Sequence, residues 1–204
     1  MAFPPRIAIA SQNPRKLREI LRICSGWPVE WMTARAEYGP WPEVDEPHET
    51  YLDNALHKAR TISQALGVPA LADDSGIEVD ALGGAPGPRS ARFAGEDASD
   101  AENLAKLIDA IASVVAEDRT ARYRCVAAVA WTDDRTIHAE GTCGGMLITE
   151  PRGERGFGYD PVFVPVGSSR TMAELGDEDK DLISHRGLAL REIGRLLAAD
   201  DGGA

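Results

Sequence analysis

The sequence predicts an α/β or α+β domain built on a mixed sheet, and three observations carry that expectation. Short apolar runs alternate with segments whose apolar residues recur at helical spacing. Two of those runs, Ala121 to Thr132 and Thr136 to Ile148, flank Asp133-Asp134-Arg135 and read as a hairpin. The chain has 204 residues, 43% hydrophobic and 27% charged, which is ordinary for a globular protein able to bury a sizeable core.

Arg6 to Ala10 reads as a buried strand. A helix follows, with Asn13 as N-cap and Pro14 at its first position. Leu17, Ile20, Leu21 and Cys24 form its apolar face. Lys16 falls in the first turn, where a cation opposes the helix dipole. It reads either as a solvent-facing lysine or as one that shares an anion with the free backbone N–H groups. Val29 to Thr33 reads as a second strand. Ala34 to Glu49 is irregular, with three prolines and the carboxylates Glu37, Glu43, Asp45, Glu46 and Glu49. It is a solvated acidic loop, or one of its carboxylates completes a metal site.

Thr50 to Leu66 is a helix stopped by Gly67, with Leu52, Ala55, Leu56, Ala59, Ile62 and Leu66 as its buried stripe and Lys58 off it. Pro69 to Asp73 and Ile77 to Leu82 read as strands on either side of an acidic pair. Ser99 with Glu102 makes a capping box for a helix buried through Leu104, Leu107, Ile108 and Ile111. His138 belongs to the hairpin and reads as structural. Gly141, Gly144 and Gly145 suggest a bulge or a close backbone approach. Glu150 to Gly156 is a polar loop, Val162 to Val166 a strand, Met172 to Leu175 a helical turn and Asp177 to Asp181 a charged loop. Ser184 caps a last helix with His185 and Arg186 in its first turn, and 200–204 reads as a frayed tail.

The stretch from Leu71 to Gly95 carries the densest chemistry. Asp73 and Asp74 are adjacent, and alternation along a strand keeps them from facing the same side. A capped strand end explains such a cluster as turn chemistry. The other reading is that the carboxylates meet Mg²⁺, which takes hard oxygen ligands and is shared with substrate phosphates. Phe157, flanked by glycines, is either a core aromatic or a flat platform for a base. Lys16, Lys58 and Arg186 could neutralise a polyphosphate.

The bulk numbers bound the partners. A net charge of −11 disfavours a nucleic-acid backbone as partner. Three scattered cysteines with no Cys-x-x-Cys fit a reducing cytoplasm. The longest apolar run, Cys125 to Trp131, is too short to span a bilayer.

Four blocks then resemble one family. They are Ser11-Gln12-Asn13-Pro14-Arg15-Lys16; Asn54-Ala55-Leu56-His57-Lys58-Ala59 with Ala72-Asp73-Asp74-Ser75-Gly76 and Gly83-Gly84-Ala85-Pro86-Gly87; Gly156-Phe157-Gly158-Tyr159-Asp160-Pro161; and Ser184-His185-Arg186-Gly187. Together they resemble the Ham1-like family of non-canonical purine nucleoside triphosphate pyrophosphatases. The resemblance implies a single two-lobed α/β domain over 1–204, with a long mixed sheet flanked by helices and the site in the cleft between lobes. It implies Mg²⁺-dependent cleavage of ITP, dITP and XTP to monophosphate and pyrophosphate by a homodimer. Carried over, Ser11, Gln12, Asn13, Pro14, Arg15 and Lys16 wrap the phosphates, Lys58 neutralises them, and Asp74 is metal ligand and proton acceptor. Glu46, with Asp45 its rival, and Asp73 are further metal ligands, and Ser75 touches the substrate. Phe157, Gly158, Tyr159 and Asp160 hold the base, with Lys180, His185 and Arg186 reading it. Many relatives have Thr and Gly where this chain has Ser11 and Gln12. The alternatives are a Maf-like pyrophosphatase for other modified nucleotides and a nucleotide-binding module without catalysis.

Overall fold

The computed structural model describes residues 3–34 and 41–199. The expected tail at 200–204 and part of the acidic loop, including Glu37, lie outside the described residues. The elements run β1 (Arg6–Ile9), α1 (Pro14–Ile23), β2 (Glu30–Met32), α2 (Tyr51–Leu66), β3 (Ala70–Val79), α3 (Asp100–Ile111), β4 (Thr120–Ala130), β5 (Thr136–Leu147), β6 (Phe163–Pro165), α4 (Asp177–Ile183) and α5 (His185–Ala199). The strands form one six-stranded sheet in the order β2-β1-β3-β4-β5-β6. The sheet is mixed: β1 pairs parallel with β2 and β3, and β5 pairs antiparallel with β6. This is the α/β architecture the alternation predicts.

Local chemistry sets the helix ends. Asn13 accepts from the backbone N–H groups of Arg15 and Lys16, and Pro14 stands where a missing N–H costs nothing. The Thr50 side chain accepts from Asp53 N, and Gly67 closes α2 in the left-handed region at φ 68°. Ser99 and Glu102 complete the capping box of α3.

Two expectations are corrected. No turn separates two strands at the acidic pair: β3 is one ten-residue strand, Ala70–Val79, that runs straight through Asp73 and Asp74. Its residues are buried almost throughout, as in a strand covered on both faces, and the two carboxylates are held there by cations from distant segments. Asp177 to Asp181 is not a loop but most of α4. Its first turn carries Asp177, Glu178 and Asp179, which complement the helix dipole.

The chain divides into two compact units. The first comprises Met1–Asp74, Cys125–Gly141 and Arg186–Ala204. Its core is Ile7, Ile9, Ile20, Leu71, Val129, Leu190, Ile193 and Leu197, drawn from three strands and two helices. The second comprises Ser75–Arg124 and Thr142–His185. Its core is built from Ile77, Val79, Leu107, Ile111, Tyr123, Leu147, Val162 and Phe163. Within it Gly145 lets β5 and β6 close up, since a Cβ there would meet Phe163 Cζ at 2.6 Å. Among the described residues no helix is long and apolar enough to cross a membrane.

Candidate functional site

Consecutive residues on β3 send Asp73 and Asp74 to different helices of the first unit. Asp73 Oδ2 accepts from Arg186 Nε at 3.1 Å and Nη2 at 2.9 Å, from the start of α5. Lys16 Nζ, in the first turn of α1, lies 3.4 Å from the same oxygen. Asp74 turns to α2: its Oδ1 accepts from Lys58 Nζ at 3.2 Å and its Oδ2 from Asn54 Nδ2 at 3.2 Å. Lys58 also donates to Glu46 Oε1 at 2.6 Å, so one ammonium joins both carboxylates.

The two aspartates differ in acidity. Burial alone would raise Asp73, but Lys16, Arg186 and Lys58 outweigh it and hold the carboxyl well below the usual range. For Asp74 burial wins. Its carboxyl is pushed up, with Glu46 adding to the rise and Lys58, Lys16 and Asn54 opposing it. Burial disfavours the Lys58 ammonium, yet Asp74, Glu46 and Asp73 together raise its pKa and keep it charged.

The Ser11-to-Lys16 block forms the β1–α1 connection and the start of α1. Ser11 Oγ accepts from Asn13 N at 3.3 Å. Gln12 and Pro14 are exposed, Arg15 is half-buried, and Asn13 is occupied as the cap. Ser75, half-buried, follows Asp74 on β3.

Arg186 departs from the expectation that it reads a base. Its side chain is buried, and its three guanidinium nitrogens serve Asp73 and Glu19. The physical reason is charge: Asp73 is buried in the sheet and needs a cation beside it. Asp73 is correspondingly engaged by cations of the protein itself.

The second unit gathers the base-holding candidates around Asp160. Asp160 Oδ2 accepts from Lys180 Nζ at 2.6 Å and from Phe157 N at 2.8 Å, and Oδ1 accepts from Tyr123 hydroxyl at 3.2 Å. Gly156 sits at φ +73°, and a Cβ there would run into the Asp160 carboxylate. The Phe157 ring is half-buried, with Lys180 Nζ 5.1 Å from its centroid. Tyr159 is the aromatic of this motif that joins the core, its hydroxyl donating to Ser90 O at 2.7 Å. Gly158 N donates to Asp100 Oδ2 at 3.0 Å. His185 is buried and stacks on Tyr123.

Three residues of the site carry no assigned role in the sequence reading: Asn54, Glu19 and Tyr123. Asn54 had a readable signal, since it precedes Lys58 by one helical turn and shares its face. Glu19 follows Lys16 by three and had the same signal. Tyr123 had none beyond strand alternation.

Among the described residues no group of three or more His, Cys, Asp or Glu side chains is arranged to hold a metal. The donor set fits a different mode. Asp74 and Glu46 offer hard oxygens that already converge on a single cation, the Lys58 ammonium. Two such carboxylates, completed by substrate phosphates, suit Mg²⁺.

Residues 7–195 match the model of the Ham1 family. A dITP/XTP pyrophosphatase of Syntrophobacter fumaroxidans is 47% identical over 189 residues, 93% of this chain and 80% of that protein. One of Geobacillus kaustophilus is 46% identical over 92% of this chain and 91% of its own. A HAM1 protein from Coxiella burnetii superposes with a TM-score of 0.85 at 38% identity, covering 98% of this chain and 100% of that one. A nucleoside-triphosphatase / dITP/XTP pyrophosphatase from Mycobacterium abscessus gives 0.74 at 40% identity, covering 94% and 98%.

Proposed function

We propose that this chain, which belongs to the Ham1 family, is a nucleoside triphosphate pyrophosphatase acting on the non-canonical purine nucleotides ITP, dITP and XTP. The observation that carries the reading is the Asp74–Lys58–Glu46 arrangement: a buried carboxylate of raised pKa beside a charged lysine and a second carboxylate.

In the reaction a water attacks the α-phosphorus, the α–β P–O bond breaks, and pyrophosphate leaves. Asp74 takes the water's proton, and its desolvation makes it a better base than a free carboxylate. Lys58 and Lys16 answer the charge that grows on the leaving pyrophosphate. The β1–α1 connection offers backbone N–H groups beside the start of α1 to the phosphates. Asp74 and Glu46 would hold Mg²⁺, which when bound shields the phosphoryl oxygens and polarises them.

The second unit supplies base recognition. Phe157 gives a face to stack on, and His185 and Lys180 give donors. Hypoxanthine and xanthine present an acceptor at the 6 position, and adenine presents a donor. A buried donor left unpaired costs about 1–3 kcal/mol, so two mismatches reject ATP by about a hundredfold or more. The proposal includes a cytoplasmic setting, which the free thiols Cys24, Cys125 and Cys143 support. It also includes the homodimer implied by the family resemblance, read by light scattering in solution.

The test is product analysis with ITP, dITP, XTP, GTP, ATP and modified pyrimidine triphosphates, in Mg²⁺ and in EDTA. Pyrophosphate from the first three, dependent on Mg²⁺, is expected. Release of orthophosphate, or equal kcat/KM for ATP, would overturn the reading.

A further inference from the structure

We infer that Tyr123 is a specificity-positioning residue, holding the groups that read the purine without touching it. The inference rests on the proposal that Lys180, His185 and Phe157 meet the base. Tyr123 stands on β4 and is buried in the second unit. Its ring lies parallel to the His185 imidazole, with centroids 4.6 Å apart and planes 7° apart. Phe163 meets the same ring edge-on at 4.8 Å and 61°, which ties it to the core. Its hydroxyl donates to Asp160 Oδ1, while Asp160 Oδ2 takes Lys180 Nζ and Phe157 N.

One side chain therefore governs two sets of donors. A parallel stack fixes the plane of the imidazole, so the ring N–H vectors can turn only within that plane. The hydroxyl fixes the Asp160 carboxylate, and that carboxylate in turn fixes the Lys180 ammonium and the Phe157 turn. The contact with Phe163 accounts for the packing of the ring in the core. Tyr123 adds a polar tie at its tip and a flat partner on its face, and both lead to groups assigned to the base. Small displacements of such donors matter, because a hydrogen bond weakens steeply with angle.

The experiment compares Tyr123→Phe, which keeps the stack and loses the hydroxyl, with Tyr123→Leu, which loses both. The readout is the ratio of kcat/KM for ITP over ATP. Partial unfolding scales both substrates alike and leaves that ratio unmoved. Tyr123→Phe should lower the ratio several-fold, and Tyr123→Leu by about tenfold or more. A second readout needs no substrate: the ring-current shift of the His185 ring protons in NMR should persist in Tyr123→Phe and vanish in Tyr123→Leu. A normal ITP preference in the parent protein with an unmoved ratio in Tyr123→Leu would overturn the inference, as would a His185 ring-current shift that persists in Tyr123→Leu. If the parent protein itself fails to prefer ITP, the base-reading proposal falls and takes this inference with it.

Discussion

Arg186 grips Asp73 with two nitrogens on one oxygen, Nε at 3.1 Å and Nη2 at 2.9 Å of Oδ2, across 113 residues of sequence. Both side chains are buried, and Glu19 takes the remaining arm of the guanidinium. A cation in the first turn of α5 opposes the helix dipole, and the two carboxylates offset that. Arg186→Met leaves Asp73 and Glu19 with less positive charge in a desolvated place. It should cost about 3–5 kcal/mol in urea unfolding, the usual penalty for breaking a buried pair. The preference for ITP over ATP should not move. A changed preference with unchanged stability would return Arg186 to base recognition.

Asp73 should also shape the acid limb of stability. Its carboxyl is more acidic folded than unfolded, so the unfolded chain binds the extra proton. The contribution is present above the ordinary aspartate range, about pH 4, and is lost as pH falls below it. Asp73→Asn should therefore lose less stability than the parent protein between about pH 5 and pH 3, compared in EDTA by urea unfolding. Parallel curves for the two proteins would contradict the assignment.

Asp74→Asn keeps the shape and a hydrogen bond toward Asn54 or Lys58, while removing the proposed base. A general base contributes about 10²- to 10⁴-fold, so kcat for ITP should fall to a few per cent or lower, with fold and substrate binding largely kept. Circular dichroism and equilibrium binding of an uncleavable analogue check the second half. Retention of more than a few per cent of kcat would remove Asp74 from the role of proton acceptor.

The sequence made the local chemistry legible and hid the long-range charge. Asn13 and Ser99 are caps that any reader can find, because a cap needs only its own helix. The hairpin follows from runs of apolar residues in the same way. Asp73-Asp74-Ser75-Gly76 has the composition of a turn, which masks the continuous strand β3. What lets the two carboxylates sit buried in the strand is a set of cations at 16, 58 and 186, which no local window contains. The same distance effect hid the role of Arg186, whose first-turn position suggested an outward donor. α4 does not show in the sequence because an acidic heptad with few apolar residues has no stripe to read.

Lys58 supplies a test of the metal proposal that needs no turnover. Its ammonium is the cation shared by Asp74 and Glu46. Lys58→Met leaves the two carboxylates facing each other without it. The variant should melt below the parent protein in EDTA, and Mg²⁺ should raise its Tm by more than it raises the parent's. Equal Mg²⁺ shifts in both proteins would argue that the two carboxylates do not bind the ion.

Asn54 ties the acidic loop to Asp74. Its Oδ1 accepts from His48 N at 3.0 Å, and its Nδ2 donates to His48 O at 3.1 Å and to Asp74 Oδ2 at 3.2 Å. The side chain is fully buried. Glu46 lies two residues before His48, so this clamp also holds the second proposed metal ligand in register with Asp74. Asn54→Ala removes all three bonds and leaves polar groups short of partners, costing about 1–3 kcal/mol. The sharper signature is local: exchange of the His48 amide should accelerate by about tenfold or more in the variant, since it loses its acceptor. The Mg²⁺ concentration needed for half-maximal activity should rise with it, because a looser loop holds Glu46 less often in place. Stability loss with unchanged His48 protection and unchanged Mg²⁺ dependence would make Asn54 a packing residue of α2 and nothing more.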